Sequence, residues 1–368
     1  MTNRRSPIVS RNESGFAKKA VQTEPHQIFS SWGHMLRDRG DPLNRGSSGH
    51  LHDPFLEVIP SGQPLKLARR RFLRILLSAC LLLATLSCAW AQTNLDFRRT
   101  EDVIYGRKFG TALTLDVFQP RPANGVGIVL MVSGGWFSAH EGINADFFRP
   151  LLNHGYTAFA VVHGSQPKFT ITEIVPDIHR AVRFIRHNAS RYGVDPKRLG
   201  ITGGSAGGHL SLIMATQGGP GDPSAKDPVD RESSAVQCVA CFFPPTDFLN
   251  YSRPGDDAVG VGILKPFKAA FGPRSDTPEE RQKLGREISP IYFVHSNMPP
   301  ILIIHGDADT LVPICQSQTF VKRCEEVGST AVLVVRKGKN HGWPDMGKDV
   351  ELFADWFDEH LRGLKTKP

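Results

Sequence analysis

A serine set among small residues, two aspartates sharing a turn and a late histidine are the residues of this chain whose types and spacing could do nucleophilic chemistry. Ser205 lies in Leu199 to Leu210 (LGITGGSAGGHL), where an apolar run meets Gly203-Gly204-Ser205-Ala206-Gly207 and a helical stretch continues from Ala206 to Thr216. This is the pattern of a G-x-S-x-G turn from strand to helix, in which the serine adopts a strained backbone conformation. Side chains at 203 and 207 would collide there with neighbouring elements, which gives both glycines a mechanical reason. The helix start adds partial positive charge, and the N–H of Ala206 can face a developing oxyanion. A phosphate or nucleotide turn is the competing reading, but neither a Walker lysine nor a G-x-G-x-x-G stands at this strand end.

A serine hydroxyl needs a base, and the base needs an orienting acid. Downstream, Ile301 to Ile304 ends in His305-Gly306-Asp307-Ala308-Asp309, two carboxylates in the turn after a strand. Asn340-His341-Gly342-Trp343 follows the next strand, giving the order serine, acid, histidine. His163 and His305 precede the acid and are out of order for a base, and His209, one turn into the elbow helix, reads as a packing or hydrogen-bonding residue. Gly134-Gly135-Trp136 ends an earlier strand and offers the N–H groups of Gly135 and Trp136 as further oxyanion donors. An ordinary glycine turn is the other reading of that segment, and the chain order favours the first.

The elements that must position these residues alternate short β-rich runs with longer helical stretches, as in an α/β sheet protein. Val103 to Tyr105 and Leu113 to Phe118 alternate apolar and polar residues, like antiparallel strands at a sheet edge. Gly127 to Val132, Thr157 to Val162, Arg198 to Thr202, Val236 to Phe243 and Ile301 to His305 are apolar on both faces, as helix-covered strands must be, and Ala331 to Val335 completes the set. Helices are expected over Ile174 to Arg191, with Pro176 in the first turn, over Pro313 to Val327 and over Val350 to Leu361. Residues 250–288, charged and punctuated by Pro and Gly, read either as a lid inserted over the site or as a peripheral helical excursion.

These residues resemble the esterase and lipase members of the α/β-hydrolase superfamily over residues 101–362. The similarity is greatest to the branch that holds bacterial feruloyl and acetylxylan esterase-like proteins and hormone-sensitive-lipase-like carboxylesterases. In that branch the D of HGxxDxxVP is the triad acid, which is Asp309 here and not Asp307, while GGSAGGHL carries the nucleophile Ser205 and an NHGW-like loop the base His341. The branch commonly has HGGGW at the oxyanion loop; Val132-Ser133-Gly134-Gly135-Trp136 lacks the His and the first Gly and keeps the backbone donors. The resemblance implies an α/β-hydrolase fold: a mostly parallel central sheet with helices on both faces and antiparallel N-terminal edge strands. It also implies hydrolysis of carboxylic esters, short-chain or carbohydrate-linked, on small molecules or polysaccharides, without cofactor or metal. Trp136 and Trp343 could stack on a sugar or an aromatic acyl group, or could simply pack. Two other readings stay open: an exopeptidase-type serine hydrolase of the same fold, and a non-catalytic binding protein on a hydrolase scaffold.

The net charge of +8 would suit a nucleic-acid partner, but its position along the chain removes that reading. Residues 1–91 carry 13 Lys and Arg against 6 Asp and Glu, whereas residues 92–368 carry 31 against 30. The basic excess belongs to a leader. Arg69-Arg70-Arg71-Phe72-Leu73-Arg74, the apolar run Ile75 to Leu86 and Ala89-Trp90-Ala91 read as an export signal over residues 65–91 with cleavage after Ala91. The run is short for a bilayer span, so membrane contact is expected only in transit, and the mature protein is expected in the periplasm or outside the cell. RRRFLR resembles a twin-arginine signature. Residues 1–64, polar and aperiodic, read as a disordered extension or an early start site, and residues 92–368 as the catalytic domain. Of the four cysteines after the leader, Cys238 and Cys241 form a C-x-x-C inside an apolar strand, expected to be a buried structural pair or free thiols and not a redox or zinc site.

Overall fold

The alternating runs near residue 100 pair as a long antiparallel hairpin, β1 (Phe97–Lys108) and β2 (Thr111–Pro120). The computed structural model describes residues 97–365, so the expected export signal and the extension before it lie outside the described residues. After the hairpin come β3 (Gly127–Met131), α1 (Arg149–Asn153), β4 (Thr157–Val162), α2 (Ile171–His187), β5 (Leu199–Gly204), α3 (Ala206–Gln217) and β6 (Cys238–Phe242). The chain continues through α4 (Lys268–Phe271), α5 (Pro278–Ile288), β7 (Ile301–Gly306), α6 (Cys315–Glu326), β8 (Ala331–Arg336) and α7 (Val350–Arg362). The eight described strands form one sheet in the order β1-β2-β4-β3-β5-β6-β7-β8. β2 pairs antiparallel with both neighbours, and all pairings from β4 to β8 are parallel. This is the α/β-hydrolase fold, with the expected antiparallel edge.

Apolar residues on both strand faces demand cover on both sides. Val129, Met131 and Ile201 face a core cluster closed by α2, α3, α5 and α6, while Ile128, Phe242 and Ile304 face a second cluster closed by α1 and α7. Cys241 belongs to the first cluster and Cys238 to the second, because residues three apart on a strand point to opposite faces. A disulfide between them is therefore excluded; both thiols are free, and burial pushes both thiol pKa values up. Of the two expectations for this pair, free thiols is the correct one.

α2 begins at Ile171, three residues before the expected start. Thr170 caps it: the Glu173 carboxylate accepts from the Thr170 N–H at 2.8 Å, completing a capping box whose T-x-x-E stands in the sequence. Pro176 consequently lies inside the helix and not in its first turn. The helix gives way to a 3-10 turn at Ala189–Tyr192, short of the single element expected to Arg191. Residues 250–288 form a run of short helices whose Tyr251, Val259, Leu264, Phe267, Phe271 and Leu284 are buried in the first core cluster.

Candidate active site

Ser205 sits where β5 turns into α3, with φ 54° and ψ −117°, a region that non-glycine residues rarely enter. The surroundings hold it there. Its N–H donates to Phe242 O at 3.0 Å and its carbonyl accepts from His209 N–H at 2.9 Å. A Cβ at Gly203 would lie 2.6 Å from the backbone of Gly207, and one at Gly207 would lie 2.7 Å from Met131 O, so strand and helix can approach only because both residues are glycine. α3 is buried along its whole length from Ala206 to Thr216.

His341 reaches Ser205 from the loop after β8. Its Nε2 accepts from the Ser205 Oγ–H at 2.9 Å and its Nδ1–H donates to Asp309 Oδ2 at 2.7 Å. The structure thus joins Ser205, His341 and Asp309 in one run of hydrogen bonds. Asp307 is exposed and its Oδ1 instead accepts from Gly338 N–H. Asp309 Oδ1 accepts from the N–H groups of Leu311 and Val312, each at 2.9 Å, which fixes the carboxylate plane. Burial by itself would push the Asp309 pKa up; hydrogen bonds from His305 and His341, the His341 charge and the Val312 N–H outweigh it and hold the carboxyl well below its ordinary range.

Three supporting residues escaped the sequence reading. His305, set aside as out of order for a base, is fully buried behind the acid. Ser317 Oγ donates to its Nδ1 at 2.7 Å, and its Nε2–H donates to Val312 O at 2.8 Å while lying 3.3 Å from Asp309 Oδ2. Asn340 clamps the two loops together: its Oδ1 accepts from Thr310 N–H at 2.9 Å and from His341 N–H at 2.7 Å. Gln166, after β4, holds the glycine turn by donating its Nε2–H to Gly135 O at 2.9 Å and its N–H to Trp136 O at 3.2 Å. His305 and Asn340 carried a signal, their places in the HGxxD and NHGW strings, whereas Gln166 carried none.

The turn after β3 closes on itself, since Gly134 and Phe137 exchange backbone hydrogen bonds at 3.0 and 2.9 Å. The N–H groups of Gly135, Trp136 and Ala206 donate to no acceptor among the described residues. Gly135 takes φ 54° under the ring of Phe267, 2.4 Å from where a Cβ would stand, so any side chain there would be strained and would have to displace that ring. Ser133, in the place of the branch's first glycine, has a buried Oγ without a hydrogen-bond partner among the described residues. Trp136 is buried, its Nε1–H donating to His209 Nδ1 at 3.1 Å, while His209 Nε2–H donates to Ile288 O at 2.7 Å. Trp343 is likewise buried, its Nε1–H on Asp349 at 2.8 Å. Both tryptophans therefore pack and are closed to a sugar ring, which decides the open alternative.

A cavity of about 350 Å³ opens at Ser205, His341 and Gly135, rimmed by residues 141–147 and by Phe267 and Leu311. Two side-chain groups among the described residues have the spacing of metal ligands, Asp102-Asp116-His140 and His154-Asp355-Asp358. Neither contains a residue of the Ser205 run, and in the first Asp116 is already paired with Arg99 at 2.6 Å. Chemically, the arrangement can activate a hydroxyl by a neutral imidazole and receive a developing oxyanion on unoccupied backbone donors.

The BD-FAE family model matches residues 115–324. Esterase LipQ of Mycobacterium tuberculosis (strain ATCC 25618 / H37Rv) is 29% identical over 262 residues, covering 68% of this chain and 59% of LipQ. Isoprenylcysteine alpha-carbonyl methylesterase ICME of Arabidopsis thaliana is 26% identical over 254 residues, covering 66% of this chain and 57% of that protein. The chain thus spans less than two thirds of the length of these relatives. Among solved structures, a truncated carbohydrate esterase from gut microbiota superimposes with a TM-score of 0.62 at 28% identity, covering 73% of this chain and 99% of its own. An acetyl ester-xyloside bifunctional hydrolase from Caldicellulosiruptor lactoaceticus, with a TM-score of 0.62 at 21% identity over 74% of this chain and all of its own, shares the fold.

Proposed function

The chain belongs to the BD-FAE family of α/β-hydrolase-fold proteins, and from that premise we propose that it is a serine esterase cleaving carboxylic esters through an acyl-enzyme. The observation that carries this reading is the unbroken hydrogen-bond run from Ser205 Oγ through His341 to Asp309. In the first half-reaction the Ser205 oxygen attacks the ester carbonyl as His341 Nε2 takes its proton, and Asp309 stabilises the imidazolium. The N–H groups of Ala206, Gly135 and Trp136 hold the oxyanion of the tetrahedral intermediate. Collapse breaks the carbonyl carbon to alkoxy oxygen bond, and the alcohol leaves with the proton from His341. Water then repeats the sequence, with His341 as base, and releases the acid with free Ser205. No step calls for a metal or cofactor.

A binding role on an inactive scaffold would call for a broken triad, and the intact run argues against it. The test is turnover of p-nitrophenyl butanoate by purified protein. Ser205→Ala lowers kcat by at least 10³-fold with an unchanged melting temperature. Undiminished turnover in that variant overturns the reading, and faster cleavage of an aminoacyl anilide than of the matching ester redirects it to an exopeptidase. The leader supports a further proposal of export, which mature protein beginning at Gln92 in the medium or periplasm would bear out. Residues 250–288, which bring Phe267 to the cavity mouth, are proposed to act as its lid.

A further inference from the structure

The cavity at Ser205 does not end at the nucleophile. It continues between the sheet and the two helices α1 and α7, past Val132, Phe148 and Phe242 to Leu130, Leu151 and Phe353. Most of these side chains belong to the second core cluster, so the space is a gap within an apolar layer. Leu130 gives independent evidence of the gap. It lies on a central strand between Ala160 and Thr202, and its chain neighbours Val129 and Met131 are buried, yet it retains accessible surface. A residue enclosed by sheet on both sides stays accessible only when the space before its side chain is open.

The polar groups are distributed in the opposite sense. Glu141, Asn144 and Asp146 stand on the rim loop, whereas Leu130, Leu151, Phe148, Phe242 and Phe353 are apolar, and beside Ser205 the lining hydroxyls are those of Ser133 and Thr202. The chemistry orients the ester across this gradient. The leaving alcohol must lie within reach of His341 Nε2 to receive its proton. His341 follows β8, at the far side of β5 from β3, so the acyl group points away from it toward β3 and α1. Resting on the esterase reading above, we propose that this gap is an acyl pocket selecting straight aliphatic acyl groups of about four to eight carbons. The volume sets the upper bound: at roughly 30 Å³ for each water-sized unit, the whole cavity holds on the order of ten heavy atoms, an ester head and a chain no longer than that.

The experiment is kcat/KM for p-nitrophenyl acetate, butanoate, hexanoate, octanoate and dodecanoate with the full chain, plus methyl ferulate. Each methylene buried before the pocket is full raises kcat/KM up to about fourfold, so hexanoate exceeds acetate by at least tenfold and dodecanoate falls back. Leu130 supplies two variants with opposite signs. Leu130→Phe fills the gap and lowers the hexanoate to acetate ratio at least tenfold, whereas Leu130→Ala moves the optimum to longer chains. Acetate or ferulate as the preferred acyl group, or a ratio indifferent to both Leu130 variants, overturns the acyl pocket and leaves the esterase reading standing. Absence of turnover for every ester, with no fluorophosphonate label on Ser205, removes the esterase reading and this one with it.

Discussion

The two sides of the proposed active site are held by different means. On the nucleophile side the turn from β5 to α3 is fixed by backbone against backbone: Gly203, Gly207 and Met131 are in contact, Ser205 has a positive φ, and α3 is buried from Ala206 to Thr216. On the histidine side, β8 is a sheet edge with Val332 and Val335 exposed, and His341 is held by two hydrogen bonds that it donates, from its backbone N–H to Asn340 Oδ1 and from its Nδ1–H to Asp309. The nucleophile's position is thus fixed by the packing of the backbone itself, whereas the base is placed by a few polar contacts around the buried Asp309 carboxylate. Damage on the first side should unfold the protein, and damage on the second should silence it while it stays folded.

The largest effect expected is on the histidine side. Asp309→Asn leaves Nδ1 without its carboxylate and favours the wrong imidazole tautomer, lowering kcat by about 10³ to 10⁴-fold with a melting temperature within a few degrees of the parent. A simultaneous collapse of the melting curve would erase the contrast. Next comes the elbow: Gly207→Val places side-chain atoms where Met131 O stands and should cost about 4 kcal/mol or more, seen as insoluble protein or as a large fall in the thermal midpoint.

The buried histidines follow. Burial lowers His163 and His209 to about 4, and His209 must stay neutral for Nδ1 to accept from Trp136. Because the folded values lie below the unfolded value of about 6.5, the unfolded chain binds the extra protons. Their contribution is therefore complete above pH 6.5, is lost as pH falls from there to about 4, and amounts to on the order of 3 kcal/mol for each. Urea midpoints across that window check it, and His209→Gln should flatten the slope. The smallest effect is that of Asn340→Ala, which unclamps the two loops: kcat should drop about 10 to 100-fold, with KM and thermal midpoint little changed.

The same contrast explains what the sequence made legible. The elbow could be read because its constraints act between residues a few positions apart, so glycine, serine and apolar strand lie together in one string. β4 agrees with its expected Thr157 to Val162, since both faces are buried and the apolar run defines the ends. β6 begins at Cys238, two residues after the expected Val236, because Gln237 spends its side chain on the N–H of Leu199. Gln166 was not legible, for it acts on a segment 31 residues away, and Asn340 stood in the NHGW string without its clamp on Thr310, 30 residues away, being readable, since only the fold creates either contact. His305 could be seen but not interpreted, because a histidine behind the acid has no place in the order of a triad. The two tryptophans were ambiguous for a related reason: composition near a site does not reveal which way an indole faces, and here each turns its N–H to a buried acceptor.

The central claim is that a proton can pass from Ser205 to His341 under the hold of Asp309, and a fluorophosphonate probe read by peptide mass mapping tests it directly. The account predicts a single adduct on the peptide containing Ser205, formed at least 10²-fold more slowly in His341→Ala. Labelling of another residue, or an unchanged rate in that variant, would contradict it.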